Sequence, residues 1–190
     1  NKNLVKIANT LKPDEPYLFM VEHPVTTEFQ SAGNQIHEIL EAIQGFKEQV
    51  IALWPNIDAG SEGISLILRR HPAVQSGKIK IFKHIPTEIF ANVLRNATCF
   101  IGNSSSGIRE SCYFGTPTVN VGSRQNERER GSNVLDVGYD RKEIADAIRK
   151  QIAHGRYPVE RIYGDGTAGK QCAAICASVE LPNIQKRITY

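Results

Sequence analysis

The run GNSSSGIRE, from Gly102 to Glu110, places three consecutive serines between an apolar segment and a segment with a helical pattern. The first turn of a helix presents unpaired backbone N–H groups and a partial positive charge. Small residues allow an anion to approach this backbone closely, and serine hydroxyl groups add further hydrogen-bond donors. Because the segment from Asn103 to Ser106 contains no lysine or arginine, the run predicts a phosphate site built from backbone N–H and hydroxyl groups.

Two charged residues near this run can extend the site. Glu110 follows the serines by about one helical turn, and its carboxylate can accept hydrogen bonds from a sugar diol such as a ribose. Arg124 lies in the polar segment after the next apolar run, where it can supply the positive charge that the serines lack. The pattern is that of a site for a phosphate joined to a sugar.

Six short apolar runs must position these residues. The runs are rich in Val, Ile, Leu and Phe and mostly lack strict polar–apolar alternation, which is typical of strands covered on both faces of a sheet. They lie at 17–22, 50–54, 78–82, 98–102, 116–122 and 133–137. The segments between them carry helical patterns, at 28–48, 61–70, 87–96, 106–114 and 140–154, and a final helix is predicted at 167–179.

This alternation of strand and helix predicts an α/β fold with a Rossmann-like parallel sheet of about six strands flanked by helices. Ligands of such sheets bind outside the carboxyl ends of the strands. Each predicted strand before the last is followed there by a polar segment rich in Gly, Pro, Ser or Thr. One such segment alone is more often a helix cap or a turn, as at Thr26, Ser61, Thr87 or Ser106. Five in succession favour a single shared cleft.

The composition narrows the class of protein. The 190 residues carry 23 basic and 20 acidic side chains, a net charge of +3, which argues against a dedicated nucleic-acid-binding protein. No apolar run is long enough to span a membrane, and no signal segment opens the chain. Of the four cysteines, three lie in apolar surroundings and none forms a CxxC pair. Reduced core thiols in a cytoplasmic protein are therefore expected.

Several classes of catalytic or metal site are not supported by the sequence. It contains no GxGxxG fingerprint, no GxxxxGK[ST] loop and no HExxH pair, and its serines do not fit GxSxG. His37, His71 and His154 occur in helical or turn contexts and are predicted at the surface. We therefore expect no metal site and no cofactor.

The strand-end motifs HPVTTE, WPNIDAGSEGI, KHIPTEIF, IGNSSSGIRE, GTPTVNVGSRQNERERGSNVLDV and YGDGTA together resemble a known family. They are similar to the carboxyl-terminal half of the hydrolysing UDP-N-acetylglucosamine 2-epimerases, which have a glycosyltransferase-B-type architecture of two Rossmann-like domains. The likeness extends from about Val21 to Ala168. HPVTTE and PNIDAGS resemble the hydrolysing branch of these enzymes more closely than the non-hydrolysing branch.

The resemblance implies a reaction for the whole enzyme. UDP is eliminated from a UDP-linked amino sugar to give a glycal-like intermediate. Water then adds, which inverts C2 and releases a free N-acetylmannosamine-type sugar, as in the synthesis of sialic-acid-like sugars. This chemistry requires no metal and no nicotinamide.

The resemblance also implies site residues at the phosphate end of the nucleotide. His23 is expected near the diphosphate and the reacting sugar, where it helps the leaving group to depart. Ser104 and Ser105 are expected to hold the diphosphate, and Arg124 to lie near the phosphates or the substrate.

At the other end of the nucleotide, the resemblance implies three further contacts. Asn56 faces the nucleotide side of the cleft, the backbone at Ile85 contacts the uracil, and Glu110 accepts hydrogen bonds from the ribose. The base itself remains open between UDP and GDP. Alternatives for the whole protein are a glycosyltransferase of the same architecture and a non-catalytic nucleotide-sugar-binding module.

The expected organisation has three parts. Residues 1–16 are predicted to be a linker or hinge, 17–166 the nucleotide-binding domain, and 167–190 a helix and tail that cross to an amino-terminal domain outside this sequence. The chain begins at Asn1 without an initiator methionine, as expected of a fragment that lacks the domain supplying most catalytic carboxylates. We therefore expect weak nucleotide binding without turnover, with UDP, a UDP-amino sugar and the amino-terminal domain as partners. A homo-oligomer, either a dimer or a tetramer, is also possible.

Overall fold

A computed structural model describes residues 15–180, and its centre is a six-stranded sheet. The strands are β1 (Tyr17–Val21), β2 (Gln49–Leu53), β3 (Ile79–Phe82), β4 (Cys99–Gly102), β5 (Thr118–Val121) and β6 (Val134–Val137). All of their pairings are parallel, in the order β3-β2-β1-β4-β5-β6. The predicted α/β fold with about six parallel strands is confirmed.

Seven α-helices accompany the sheet within the described residues. They are α1 (Ala32–Ile43), α2 (Ser61–Arg70), α3 (Pro72–Gln75), α4 (Thr87–Asn96), α5 (Arg109–Phe114), α6 (Arg141–His154) and α7 (Ala168–Ser178). Two 3-10 helices, Thr26–Ser31 and Ser105–Gly107, precede α1 and α5. None of the helices between residues 15 and 180 has both the length and the apolar character needed to cross a membrane.

The single helix predicted at 28–48 is wrong in its extent. Its first residues belong to the 3-10 helix, within which Glu28 has non-helical angles of φ −121° and ψ 18°. The α-helix then ends at Ile43, because the chain must turn through Gly45 before it enters β2. The pattern correctly predicted the buried face of this helix, since the side chains of Ile36, Ile39 and Ile43 are fully buried.

The sheet is covered on both faces, which explains why its strands lack alternation. Along β1, Leu18 and Met20 pack into one cluster with residues of α1, α2 and α6. Phe19 and Val21 face the other way, into a cluster with residues of α4. All four side chains are at most 2% exposed.

The predicted core thiols are found only in part. Cys99 on β4 and Cys112 on α5 are buried, but Cys172 and Cys176 on α7 are exposed. The prediction failed for this pair because every residue of α7 is exposed in the structure. An apolar pattern predicts burial only where another element covers the helix.

The strand order reverses beside β1, which lies between β2 and β4. At such a switch point the following segments diverge to opposite sides of the sheet and leave a crevice at the carboxyl ends of the strands. The ends of β1 and β4 approach closely here, because Gly102 has φ +123° and an added Cβ would overlap with the carbonyl oxygen of Val21. Only glycine meets both conditions at this position.

Candidate functional site

Asn103 connects the two strand ends that flank the switch point. Its side-chain Oδ1 accepts a hydrogen bond from the backbone N–H of His23 at 2.8 Å. Its Nδ2 donates to the backbone carbonyl of the same residue at 2.7 Å. Asn103 is fully buried, so this pair of bonds is an internal clamp between the segments after β1 and β4. The sequence indicated only a possible turn residue here.

His23, the predicted catalytic residue, is held in a defined protonation state. Its Nδ1 accepts the backbone N–H of Asn56 at 3.2 Å, which leaves the ring proton on Nε2. Burial lowers the pKa of His23 to about 4, and the nearby charge of Arg124 acts in the same direction, while Asp58 opposes both. At neutral pH His23 is therefore an uncharged imidazole whose Nε2–H is available to donate a hydrogen bond.

Arg124 lies on the same side of the site as His23. Its Nη1 donates to the backbone carbonyl of Asn103 at 3.2 Å, and the Nε2 of Gln125 donates to the same oxygen at 2.7 Å. Arg124 also lines a cavity of about 350 Å³ together with residues from the segments after β1 and β2, among them Thr27 and Asp58. A cationic group thus faces a cavity beside a neutral donor, which is suitable for binding an anion.

The serine run adopts a tighter turn than the sequence predicted. The helix predicted at 106–114 begins as the 3-10 helix Ser105–Gly107, and α5 starts only at Arg109. Ser104 caps the 3-10 helix: its Oγ accepts the backbone N–H of Ser106 at 3.4 Å and lies 2.9 Å from the Oγ of that residue. Ser104 and Ser105 remain partly exposed at the crevice, directly after Asn103.

The predicted side-chain caps at the other strand ends are not formed. The N-cap residue of the 3-10 helix that begins at Thr26 is Val25, and that of α4, which begins at Thr87, is Pro86. Neither helix has a side-chain cap hydrogen bond. The predicted start of α2 near Gly60 or Ser61 is confirmed, with Gly60 as a left-handed N-cap. The absence of caps at Thr26 and Thr87 leaves both hydroxyl groups exposed.

Glu110 lies in the first turn of α5 and lines a different cavity, of about 410 Å³. That cavity is also lined by Tyr163 and Asp165, from the YGDG motif at 163–166. Arg109 lies over the ring of Tyr163 at 5.4 Å. The side chain of Ile85 is buried against the α4 cluster, so only its backbone is suited to contact a ligand.

The structure brings three of the predicted site residues together, whereas Glu110 lines a separate cavity. His23, the backbone of Asn56, and Arg124 meet around Asn103. Sequence reasoning missed Glu22 and Tyr139 beneath that group, where the hydroxyl of Tyr139 donates to Glu22 Oε1 at 3.1 Å. A charged residue at the end of an apolar strand was the available signal for Glu22.

One group among the described residues has the composition of a metal site: His37, Glu41 and His71. His71 was predicted at the surface but is buried, and its Nδ1 caps α3 by accepting the N–H of Ala73. The ring proton therefore lies on Nε2, which is 3.1 Å from Glu41 Oε1 and donates to it. The second oxygen of that carboxylate accepts from Gln44. The cluster is a set of internal hydrogen bonds that fits a metal poorly.

Comparison with known proteins assigns the family. The family model described as UDP-N-acetylglucosamine 2-epimerase matches residues 1–177. The chain belongs to this family. Among its relatives is the UDP-N,N'-diacetylbacillosamine 2-epimerase (hydrolyzing) of Legionella pneumophila, 32% identical over 169 residues, which are 89% of this chain and 44% of that protein. The UDP-N-acetylglucosamine 2-epimerase of Neisseria meningitidis is 32% identical over 180 residues, or 92% of this chain and 47% of that protein.

A solved member of the epimerase family has the same fold. The UDP-GlcNAc 2-epimerase of Methanocaldococcus jannaschii, crystallised with UDP-GlcNAc and UDP, superposes with a TM-score of 0.71 at 16% identity. The match covers 93% of this chain and 49% of that one. The chain therefore spans about half the length of the family members that it matches.

Proposed function

We propose that this chain is the nucleotide-binding half of a hydrolysing UDP-N-acetylglucosamine 2-epimerase. The observation that carries the proposal is the clamp at the switch point, where Asn103 holds His23 and accepts a hydrogen bond from Arg124. The clamp places a neutral donor and a cation beside the crevice in which α/β proteins bind their ligands. The two relatives at 32% identity, whose names state 2-epimerase activity, support the reaction class.

In the proposed reaction, the bond between C1 of the sugar and the diphosphate breaks as a proton leaves C2, giving a glycal and UDP. Water then supplies a hydroxyl group to C1 and a proton to C2 on the opposite face, so the products are an N-acetylmannosamine-type sugar and UDP. Charge develops on the departing diphosphate, where prearranged donors are most effective. We assign that role to the Nε2–H of His23, the guanidinium of Arg124 and the serine run at Ser104 and Ser105.

Proton removal at C2 needs a base, and neither His23 nor Arg124 is suited to that role. The imidazole carries its proton on Nε2, and Arg124 is a cation. We therefore assign the acid and base carboxylates to an amino-terminal domain of the whole protein. The isolated chain then binds the nucleotide weakly and does not turn over.

We assign the other end of the nucleotide to Glu110, Ile85 and Asn56. Glu110 accepts hydrogen bonds from the ribose, the backbone at Ile85 contacts the uracil, and Asn56 lies on the nucleotide side of the cleft. Support comes from the position of each residue after a strand at the carboxyl edge of the sheet. The whole protein is further proposed to act in the cytoplasm, as a dimer or tetramer, in the synthesis of sialic-acid-like sugars.

The three-part organisation is also a proposal: residues 1–16 as a linker, 17–166 as the nucleotide-binding domain, and 167–190 as a crossing segment. The described part of the last segment contains α7, which is exposed on every side, with Ile175 62% exposed. A helix with an uncovered apolar residue of this size is suited to packing against another domain. We propose that its partner is the amino-terminal domain.

Calorimetric titration of the chain with UDP tests the nucleotide assignment, with GDP as the comparison. UDP is expected to bind, and Glu110→Ala to weaken binding by about tenfold, because the ribose hydroxyl groups lose an ionised acceptor. Asp146→Ala is the matched control. Asp146 is an exposed carboxylate on α6, and α6 packs on the face of the sheet opposite to α4.

Two results would redirect the proposal. A preference for GDP keeps the reaction but changes the substrate to a GDP-linked sugar. Equal binding by wild type and Glu110→Ala contradicts the ribose assignment. With the full-length protein, release of free sugar from UDP-N-acetylglucosamine without any acceptor supports the epimerase and excludes a glycosyltransferase, whereas tight binding without any product indicates a non-catalytic module.

A further inference from the structure

Glu22, the residue directly before His23, is a carboxyl group buried at the end of β1. It is 3% exposed. Its Oε1 accepts hydrogen bonds from Asn103 Nδ2 at 2.7 Å and from the hydroxyl of Tyr139 at 3.1 Å. Its Oε2 has no hydrogen-bond partner in the part of the chain that the structure describes. A buried carboxylate with one unpaired oxygen is costly, whereas a carboxylic acid can keep its proton there.

The hydrogen bond that Glu22 accepts, together with those to the backbone of His23, fixes the orientation of the Asn103 side chain. The amide uses Nδ2 to donate to both Glu22 Oε1 and the carbonyl of His23, and it uses Oδ1 to accept the N–H of His23. In the flipped orientation, the amide oxygen would face two acceptor oxygens and the amide nitrogen would face an N–H donor. Glu22 therefore acts on His23 through Asn103.

Charged and titratable groups from several elements face Glu22. They are His23 on its own segment, Glu28 on the first 3-10 helix, Arg124 after β5 and Tyr139 after β6. Burial is the dominant influence and raises the pKa of Glu22 well above its ordinary value, and Glu28 acts in the same direction. Tyr139, Asn103 and Arg124 oppose them without outweighing burial.

We propose that Glu22 is a positioning residue of the nucleotide site: buried at the end of β1, it holds Asn103, and Asn103 clamps His23. The assignment of the site to a nucleotide rests on the proposed function. The role of Glu22 in positioning His23 does not.

The test follows the imidazole nitrogens of His23 by NMR in the wild-type chain and in two variants. Glu22→Gln places an amide N–H₂ where the acid carries its proton, so the Nε2–H tautomer of His23 and its pKa near 4 should persist. Glu22→Leu fills a similar volume without a hydrogen bond. It should loosen the hold of Asn103 on the backbone of His23, so that the ring becomes less buried and its pKa rises toward the ordinary value of about 6.5. Asp146→Asn, at an exposed position on α6, controls for an acid-to-amide change away from the site.

Either of two results would overturn the proposal. If Glu22→Leu keeps both the tautomer and the low pKa of His23, Glu22 only fills space. If Glu22→Gln loses them, an ionised carboxylate is required instead. These readouts do not depend on a nucleotide, so a wild-type chain that fails to bind UDP contradicts the proposed function and leaves the positioning test intact.

Discussion

At the scale of single residues, the chemistry of the site depends on where protons reside. His23 carries its proton on Nε2 because the backbone N–H of Asn56 occupies Nδ1. Burial and the charge of Arg124 both favour the uncharged ring. The imidazole can therefore donate a hydrogen bond without carrying a charge, and the positive charge at the site comes from Arg124.

The neutral state of His23 makes a prediction for the pH dependence of stability. Because the folded-state pKa is lowered to about 4, the stability that this residue contributes is fully present above the unfolded pKa of about 6.5 and is lost as pH falls through the folded value. His23→Asn can keep an acceptor for the N–H of Asn56 without titrating. Urea unfolding should show the wild type losing stability relative to this variant between about pH 6.5 and pH 4.

His84→Asn, which removes an exposed imidazole, is the control for the general effect of losing a histidine. A difference in the free energy of unfolding between wild type and His23→Asn that stays constant over this pH range would show that His23 is not held neutral by the fold. The low pKa would then have no structural basis.

At the scale of elements, the site depends on how closely the ends of β1 and β4 approach. Glycine at 102 permits this approach, and the next residue, Asn103, forms the clamp to His23. Gly107 acts similarly one turn later, because a Cβ there would lie 2.5 Å from the ring of Phe100. The serine run is thus held against the sheet by glycines on both sides of it.

Gly102→Ala should therefore destabilise the protein by more than about 2 kcal/mol, since alanine is strained at φ +123° and its methyl group overlaps with the carbonyl of Val21. Gly45→Ala is the matched control: it has no atom within 4 Å of the added carbon and no strained φ. We expect its effect on the free energy of unfolding to be small. Comparable losses in the two variants would contradict the close approach at Gly102.

The sequence predicted the elements well where burial on both faces left a distinct pattern. The six strands and the helix at 87–96 follow from such patterns, and the polar strand ends indicated the crevice. The clamp was not predictable, because a hydrogen bond from Asn103 to His23 joins positions 80 apart in the chain. His71 was misassigned for a similar reason, since its burial depends on contacts with Glu41 and Ala73.

At the scale of the whole molecule, the chain combines a buried sheet with one exposed helix, α7. The central strands have fully buried side chains, whereas α7 is exposed along its length. The chain also spans about half of its family members. These two observations motivate the proposal that α7 packs against another part of the whole protein.

Limited proteolysis with trypsin tests the assignment of α7. Lys170 on α7 and Lys150 on α6 are both exposed helical lysines, but α6 packs Ile144 and Ile148 into the core. Cleavage at Lys170 should be much faster than at Lys150 in the isolated chain, because local unfolding of α7 disrupts no core contact. In the full-length protein the site at Lys170 should become protected. Equal rates at both lysines in the isolated chain would contradict a loosely held α7.

The strand order also has a consequence for how the polypeptide folds during synthesis. Of the six strands, β1 is synthesised first, but it occupies the middle of the sheet, between β2 and β4. Its partner β4 follows only after β2, β3 and four helices have been made. Until then the apolar edge of β1 has no neighbour on that side, and contacts so distant in sequence form slowly. The nascent chain must therefore complete the crevice between β1 and β4 late, after the half of the sheet formed by β1, β2 and β3.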